Sequence, residues 1–302
     1  MPDPLLGPRI KLQRAKHHLV ELERTEREFF DANPCRVHFD TESQPGHKLA
    51  KIILDSPPPE IMHVIAGEII YQLRSALDQT AVAFARMSGG VGSKRPNPSD
   101  VHFPTGDGLK GFLSSCRSFD RKKQRFTGNL RYFDADLRKA IMRTRPYNGG
   151  NETLRAVFRM ANIDKHMELI ALAASGGIRG MNDFKFDGGG LQLIPNGNLN
   201  EGVVFSDLSP EGTITPKNAQ AKIHVAGQVT LGDVPPYARE PLVPFLRSMV
   251  EEVGRVHARF EAVLVETGRK IAQDNSGIAE KGLSFSFPFG LLSAGNHFRV
   301  TG

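Results

Sequence analysis

From Arg9 to Phe30 the apolar residues Ile10, Leu12, Ala15, Leu19, Leu22 and Phe29 return at helical spacing among many charges, the pattern of an amphipathic helix lying on a core. A second helix is predicted from about Glu60 to Met87, opened by Ser56 and the run Pro57-Pro58-Pro59-Glu60, because proline and an acid both suit a first helical turn. Between them, residues 35–54 alternate around Gln44-Pro45-Gly46 as strand, turn and strand, which predicts a β-hairpin. Residues 88–104 are rich in Gly, Ser, Pro and Asn and read as a loop ending at Phe103-Pro104, with shorter helices near 107–118 and 135–145 beyond it. A third long helix starts at Asn151, an N-cap residue with Glu152 just inside, and its periodicity continues to about Ala174, where Gly176-Gly177 stops it.

From 178 to 232 the texture changes to short β-like runs separated by Gly, Asn and Pro, which predicts an antiparallel meander. A final long helix from about Glu240 to Ile271 carries Leu242, Leu246, Met249, Val253, Val256 and Phe260 at helical spacing and returns to the helical body. The tail from Asp274 holds the uncharged run LSFSFPFGLL, expected to dock on the body or on a second subunit. The predicted fold is α+β: a bundle of long helices packed with an antiparallel β-sheet. It divides into a helical bundle with an N-terminal hairpin at 1–175, a β region at 176–238, a returning helix at 239–273 and an apolar tail at 274–302.

The totals narrow the function classes. A chain of 302 residues with 39% hydrophobic and 24% charged residues has ordinary globular composition, which sets aside disorder and fibrous repeats. No stretch approaches 18 uncharged apolar residues and the N-terminus has no signal-like apolar run, so a cytoplasmic protein without a membrane partner is expected. Cys35 and Cys116 lie far apart and outside any CxxC pattern, as free thiols would. No HExxH, GxSxG or complete phosphate loop is present, since GGVGSK at 89–94 lacks the Gly-Lys-Ser/Thr ending; neither a metal nor a cofactor is predicted. The net charge of +6 is unevenly placed: residues 110–145 hold eleven Lys or Arg against three Asp. Their densest part, Arg121, Lys122, Lys123 and Arg125 followed by Phe126, would suit phosphate contacts with base stacking if RNA is the partner, while a solvated face is the plainer reading.

Two helices carry polar residues where apolar ones are expected. On the second, at about 100° per residue, Glu68, Gln72, Ser75 and Gln79 form the expected solvent stripe. Arg74 and Asp78, able to pair one turn apart, share another face with His63, Gly67 and Ala81. On the third helix Arg159, Asn162 and His166 share a stripe while Asp164, Lys165 and Glu168 point elsewhere. The two stripes are expected to meet, with Tyr147 near enough to add a hydroxyl. They would form either a hydrogen-bonded network that fixes helix register or a site in which His166 exchanges a proton and Arg74 or Arg159 stabilises charge on a phosphate.

At LRSALDQ (73–79) and NIDKH (162–166) the chain resembles a family of uncharacterised bacterial proteins with an LRSALDH-type helix and a later DKHR segment. More remotely, the first motif resembles the arginine-to-histidine motif of HEPN domains, helical bundles that include RNases of toxin and phage-defence systems. That resemblance implies a catalytic arginine at Arg74 with a histidine four to six residues on, and a site commonly built by dimerisation. Gln79 stands at the histidine position and Met167 where the family often has arginine. The resulting expectation is an HEPN-like RNA-binding protein, a weak or degenerate metal-independent RNase, with Arg74, Asp78, Arg159, Asn162 and His166 as its catalytic set and a homodimer as its assembly. The alternatives are a non-enzymatic interaction or assembly protein with a structural polar network, self-associating through helices or the tail, and a small-ligand site between bundle and sheet.

Overall fold

The computed structural model describes residues 3–40, 48–88, 101–117, 119–120, 125–126, 133, 135–166, 172–180, 184–191, 197–217, 224–232 and 234–280. Among them the chain is mixed α+β, with six helices and small antiparallel sheets. Helix α1 (Leu6–Asp31) turns Leu12, Ala15, Leu19 and Leu22 inward. Helix α2 (Ile61–Met87) is central and buried on several sides; Ile69, Ile70 and Leu73 are fully enclosed, each contributing about 1.5–3 kcal/mol by leaving water. Helices α3 (Leu109–Arg117) and α4 (Ala135–Thr144) lead to α5 (Glu152–His166), and α6 (Leu242–Glu280) closes the described chain.

Pair contacts give the helix directions. Gly7 lies against Gln79, Lys11 over the Tyr71 ring and His18 beside Glu68, so α1 runs antiparallel to α2. Gly67 meets Asp164 and Arg74 meets Phe158, so α5 is antiparallel to α2 on another side. Arg9 pairs with Glu261 and Arg247 with Glu23, which sets α6 antiparallel to α1. The start of α5 is as the sequence predicts: Asn151 Oδ1 accepts from Leu154 N at 2.9 Å, while its Nδ2 donates to the buried Glu252 of α6 at 2.7 Å. One side chain thus caps one helix and fastens it to another.

The predicted hairpin forms as β1 (Cys35–Asp40) and β2 (Lys48–Leu54), but β2 also pairs with β8 (Val203–Pro216), which pairs with β6 (Phe184–Leu191) in one four-stranded sheet. A three-stranded sheet orders β7 (Gly197–Asn198), β5 (Leu172–Gly180) and β9 (His224–Leu231), and β3 (Phe119–Asp120) pairs with β4 (Arg125–Phe126). The hairpin therefore belongs to the β layer and not to the helical body. Ala50, Ile52, Ala174, Leu199, Phe205 and Leu208 make a second, smaller core between the two larger sheets. Helix α1 is bound to this layer at its end, where Glu26 accepts from Val229 N at 2.7 Å and the Phe30 ring covers Gly227.

Two predicted boundaries move. Helix α5 is described to His166, and of the stretch expected to carry it on to about Ala174, Leu172, Ala173 and Ala174 instead open strand β5, paired along β9. Gly176-Gly177 is strand interior instead of a helix stop: a Cβ at Gly176 would stand 2.8 Å from Ala226 O, so the close strand approach itself requires glycine. Helix α6 runs on through residues 274–280, read from sequence as tail; residues 281–302, with LSFSFPFGLL, lie outside the described residues. No helix among the described residues is long and apolar enough to cross a membrane.

The α1–α6 seam buries His257, whose Nδ1 lies 3.6 Å from Glu261 and whose Nε2 has no hydrogen-bond partner. Burial holds its pKa below the usual imidazole value; the nearby Glu261 pulls it up, Arg9 pushes it further down and Asp3 pulls it up. Protons then bind the unfolded chain more readily, so stability is complete above the free-imidazole range near pH 6.5 and is lost as pH falls through the lower folded value. Thermal unfolding from pH 7.5 to pH 5 is expected to show a drop in Tm that a His257→Phe variant reduces; an unchanged pH slope in that variant would contradict the assignment.

Candidate functional site

Arg74 and Asp78 do pair. Arg74 Nε donates to Asp78 Oδ2 at 2.8 Å, and Asp78 Oδ1 accepts from Phe103 N at the same distance. The guanidinium lies 4.3 Å above the Phe158 ring centroid, a cation–π contact between α2 and α5. Phe103 is buried between Phe158 and Phe260, with ring centroids 5.8 Å and 6.1 Å away. Asp78 therefore bolts the 101–105 segment to α2 through Oδ1 while its Oδ2 holds Arg74.

Beside this bolt lies a groove of about 260 Å³. Helix α2 provides Tyr71, Arg74, Ser75, Asp78, Gln79 and Val82; the 101–105 segment adds Val101 and His102; α5 adds Ala161 and Asp164. The carboxylate of Asp164 rests on Gly67, where a Cβ would stand 2.8 Å from Oδ1. Among the described residues it has no hydrogen-bond or ion-pair partner. Burial raises its pKa above the usual carboxylate value, as expected for a carboxyl moved out of water without a compensating charge. With Arg74 matched by Asp78, the charge of the groove left without a partner among the described residues is the negative one of Asp164.

The predicted site residues divide. Arg74 and Asp78 line the groove, whereas Arg159 donates to Pro235 O at 3.3 Å, away from Arg74, and Asn162 is exposed. The side chain of His166 lies outside the described residues. Instead of the Arg159–Asn162 stripe, α5 turns Phe158, Ala161 and Asp164 toward α2, because its buried residues Leu154, Val157, Phe158 and Ala161 orient the helix and Asp164 continues that row. The expected solvent stripe of α2 is reached by solvent in part: Glu68 is exposed, while Gln72, Ser75 and Gln79 are partly covered. Helix α1 borders it, with Glu68 2.9 Å from the buried His18 Nε2 and Gln79 against Gly7. Tyr147 accepts from Arg145 and packs on Phe112, outside the groove.

His102, Tyr71 and Asp164 are the groove residues that sequence reasoning did not select. His102 stands in an irregular segment with no periodicity to read, its one signal being the adjacent Phe103-Pro104. Arg121, Lys122 and Lys123 lie outside the described residues; Arg125 and Phe126 form β4, and their side chains lie outside the description too. Among the described residues no three His, Cys, Asp or Glu side chains converge as a metal would need. Burial beside Asp55 pushes the Cys35 thiol up to about 11, which makes it a poor nucleophile.

Family models, curated proteins and solved structures offer no match to this chain. The site is therefore read from its own geometry.

Two outcomes test that geometry. Asp78→Ala leaves Phe103 N–H and the Arg74 guanidinium without their acceptor and is expected to cost about 2–3 kcal/mol in denaturant unfolding; Asp78→Asn, which keeps one acceptor, should cost less. A loss below a few tenths of a kcal/mol for Asp78→Ala would refute the bolt. Asp164 acts in the opposite direction: its raised folded pKa gives stability that is present below the unfolded carboxyl value and is lost as pH rises through the folded one. Asp164→Asn should raise stability at pH 7 by at most about 1 kcal/mol, the side chain being partly solvated, with no gain at pH 3. Equal effects at both pH values would show that the carboxylate charge is not the cause.

Proposed function

We propose that this chain is a non-enzymatic interaction protein in which the Arg74–Asp78 pair is structural and the α2–α5 groove is the binding surface. The observation that carries this reading is the engagement of both Asp78 oxygens and Arg74 Nε within the fold, with Phe158 under the guanidinium. A phosphate approaching Arg74 would have to displace an ion pair and pass the carboxylate of Asp164, two electrostatic costs that a nuclease site avoids by presenting free cations. A carboxylate with no partner among the described residues, its pKa raised by burial, destabilises the free protein, and a complementary ligand would relieve that cost. The proposed setting is the cytoplasm, where a buried thiol such as that of Cys35 stays reduced.

One observation favours the second reading, an HEPN-like, metal-independent RNase built on a bundle of long helices: His102 lines the same groove as Arg74. An imidazole there would take the proton-exchanging role that Gln79 lacks, with the basic 110–145 segment as the RNA path. Labelled RNA incubated without divalent metal separates the two. The interaction reading expects wild type, Arg74→Ala and His102→Ala to leave the RNA intact. Cleavage by the wild type that falls at least about 100-fold in either variant, the scale of losing a general acid–base group, would establish the second reading and end the first.

A further inference from the structure

We infer that the α2–α5 groove is a binding site for a primary alkylammonium group, a free amine or a lysine side chain, with the Asp164 carboxylate as its counter-ion. The inference rests on the reading of this groove as a binding surface and names the chemistry of the ligand.

Three observations carry it. First, Asp164 faces the groove with no hydrogen-bond or ion-pair partner among the described residues, while the other charged pair there, Arg74 with Asp78, is closed on itself. A carboxylate accepts and cannot donate when ionised, so its complement is a cationic donor. Second, the space for that carboxylate is made by Gly67: a Cβ would come within 2.8 Å of Oδ1, so glycine at this point in a helix, unfavourable by about 1 kcal/mol relative to alanine, has a role in seating Asp164. Third, the remaining wall suits an alkyl chain. Ala161, one turn before Asp164 on α5, is apolar, and the Tyr71 ring, one turn past Gly67 on α2 and 54% exposed, already receives one ammonium, Lys11 Nζ at 5.3 Å from its centroid; the two valines line the groove farther along. Lys11 does not line the groove and forms no ion pair with Asp164, so its charge is not the missing partner.

Size and charge exclude other classes. At about 260 Å³ the groove falls below the roughly 300–1,000 Å³ of cofactor and drug-sized sites, which favours a short chain with one charged end. Anions meet the uncompensated negative charge of Asp164. A primary ammonium, with three donors on a compact head, can give one to Asp164 and keep the others toward the open side of the groove.

Calorimetric titration of the full chain at pH 7.5 and constant ionic strength tests this, with n-butylammonium chloride and Nα-acetyl-lysine methylamide as probes and butyrate and inorganic phosphate as controls. At least one cationic probe is expected to bind with Kd on the order of millimolar, weakened about tenfold or more in Asp164→Asn through loss of the charge-assisted bond. A several-fold weakening is expected in Gly67→Ala, whose added methyl displaces the carboxylate while adding helix propensity. Tighter binding of the lysine derivative would identify a peptide-borne ligand, and tighter binding of butylammonium a free amine. Equal affinities in wild type and Asp164→Asn overturn the role of Asp164. Binding of butyrate or phosphate in place of the cations overturns the cationic assignment and leaves the groove as a binding surface. No heat with any of the four probes overturns both.

Discussion

Asp78 joins three parts of the molecule with two hydrogen bonds. Through Arg74 it holds a guanidinium against α5, and through Phe103 N it holds the 101–105 segment, whose phenylalanine reaches α6. A carboxylate is suited to this position because its two oxygens accept in different directions, and an ionised acceptor strengthens both bonds. Without it, the Phe103 ring could still be buried and Thr105 would still bond Pro146 O, but the backbone tie that sets Val101 and His102 beside Ser75 and Gln79 would be lost. The end wall of the groove therefore depends on a polar interaction inside an apolar core.

The same face of α2 supports two carboxylates in opposite states. Asp78 has an arginine and a backbone amide; Asp164, across the groove, has neither among the described residues. Pairing lets a charge stay ionised in poor solvent, whereas burial without pairing raises the energy of the charged form. A fold selected only for stability would carry a serine or asparagine at 164 and an alanine at 67. The chain instead places glycine in its central helix opposite an acid that has no partner among the described residues, two unfavourable choices that share one contact. Such coincident costs are expected where stability gives way to binding.

Much of the architecture could be read from periodicity, because α2 and the N-terminal hairpin have strong and unambiguous patterns. Asn151 could be read too: an amide before an acid at a helix start has few other uses, and its bonds to Leu154 N and Glu252 bear this out. The orientation of α5 was legible too: at 100° per residue Leu154, Val157, Phe158, Met160 and Ala161 share an apolar arc that includes Asp164, whereas Arg159 and Asn162 fall with Glu152 and Arg155 on the polar arc, and it is the apolar arc that packs. Strand β5, LAASGGIRG, has the composition of a helix followed by a break, and only pairing with β9 makes it a strand, a case of tertiary context overriding weak local preference. His102 was invisible for a different reason, since an irregular segment has no period from which a face could be inferred.

The groove follows from how α2 is flanked. Helices α1 and α5 both run antiparallel to it, α1 touching it through Glu68 and Gln79 and α5 through Gly67 and Arg74. On a helix turning 100° per residue, positions 64, 71, 75 and 82 lie between those two contact lines. Val64 and Tyr71 are exposed there, and Ser75 and Val82 are partly covered. Residues on such a strip face neither neighbour fully, so their character is not dictated by packing. Arginine and aspartate at 74 and 78 sit on the border toward α5, where one can close an ion pair and the other can reach the 101–105 segment. What the strip presents is an aromatic ring, a hydroxyl and two valines, facing an acid that α5 brings across from Gly67. Selection for helix packing alone gives no reason for that acid, whereas selection for a complementary cation does.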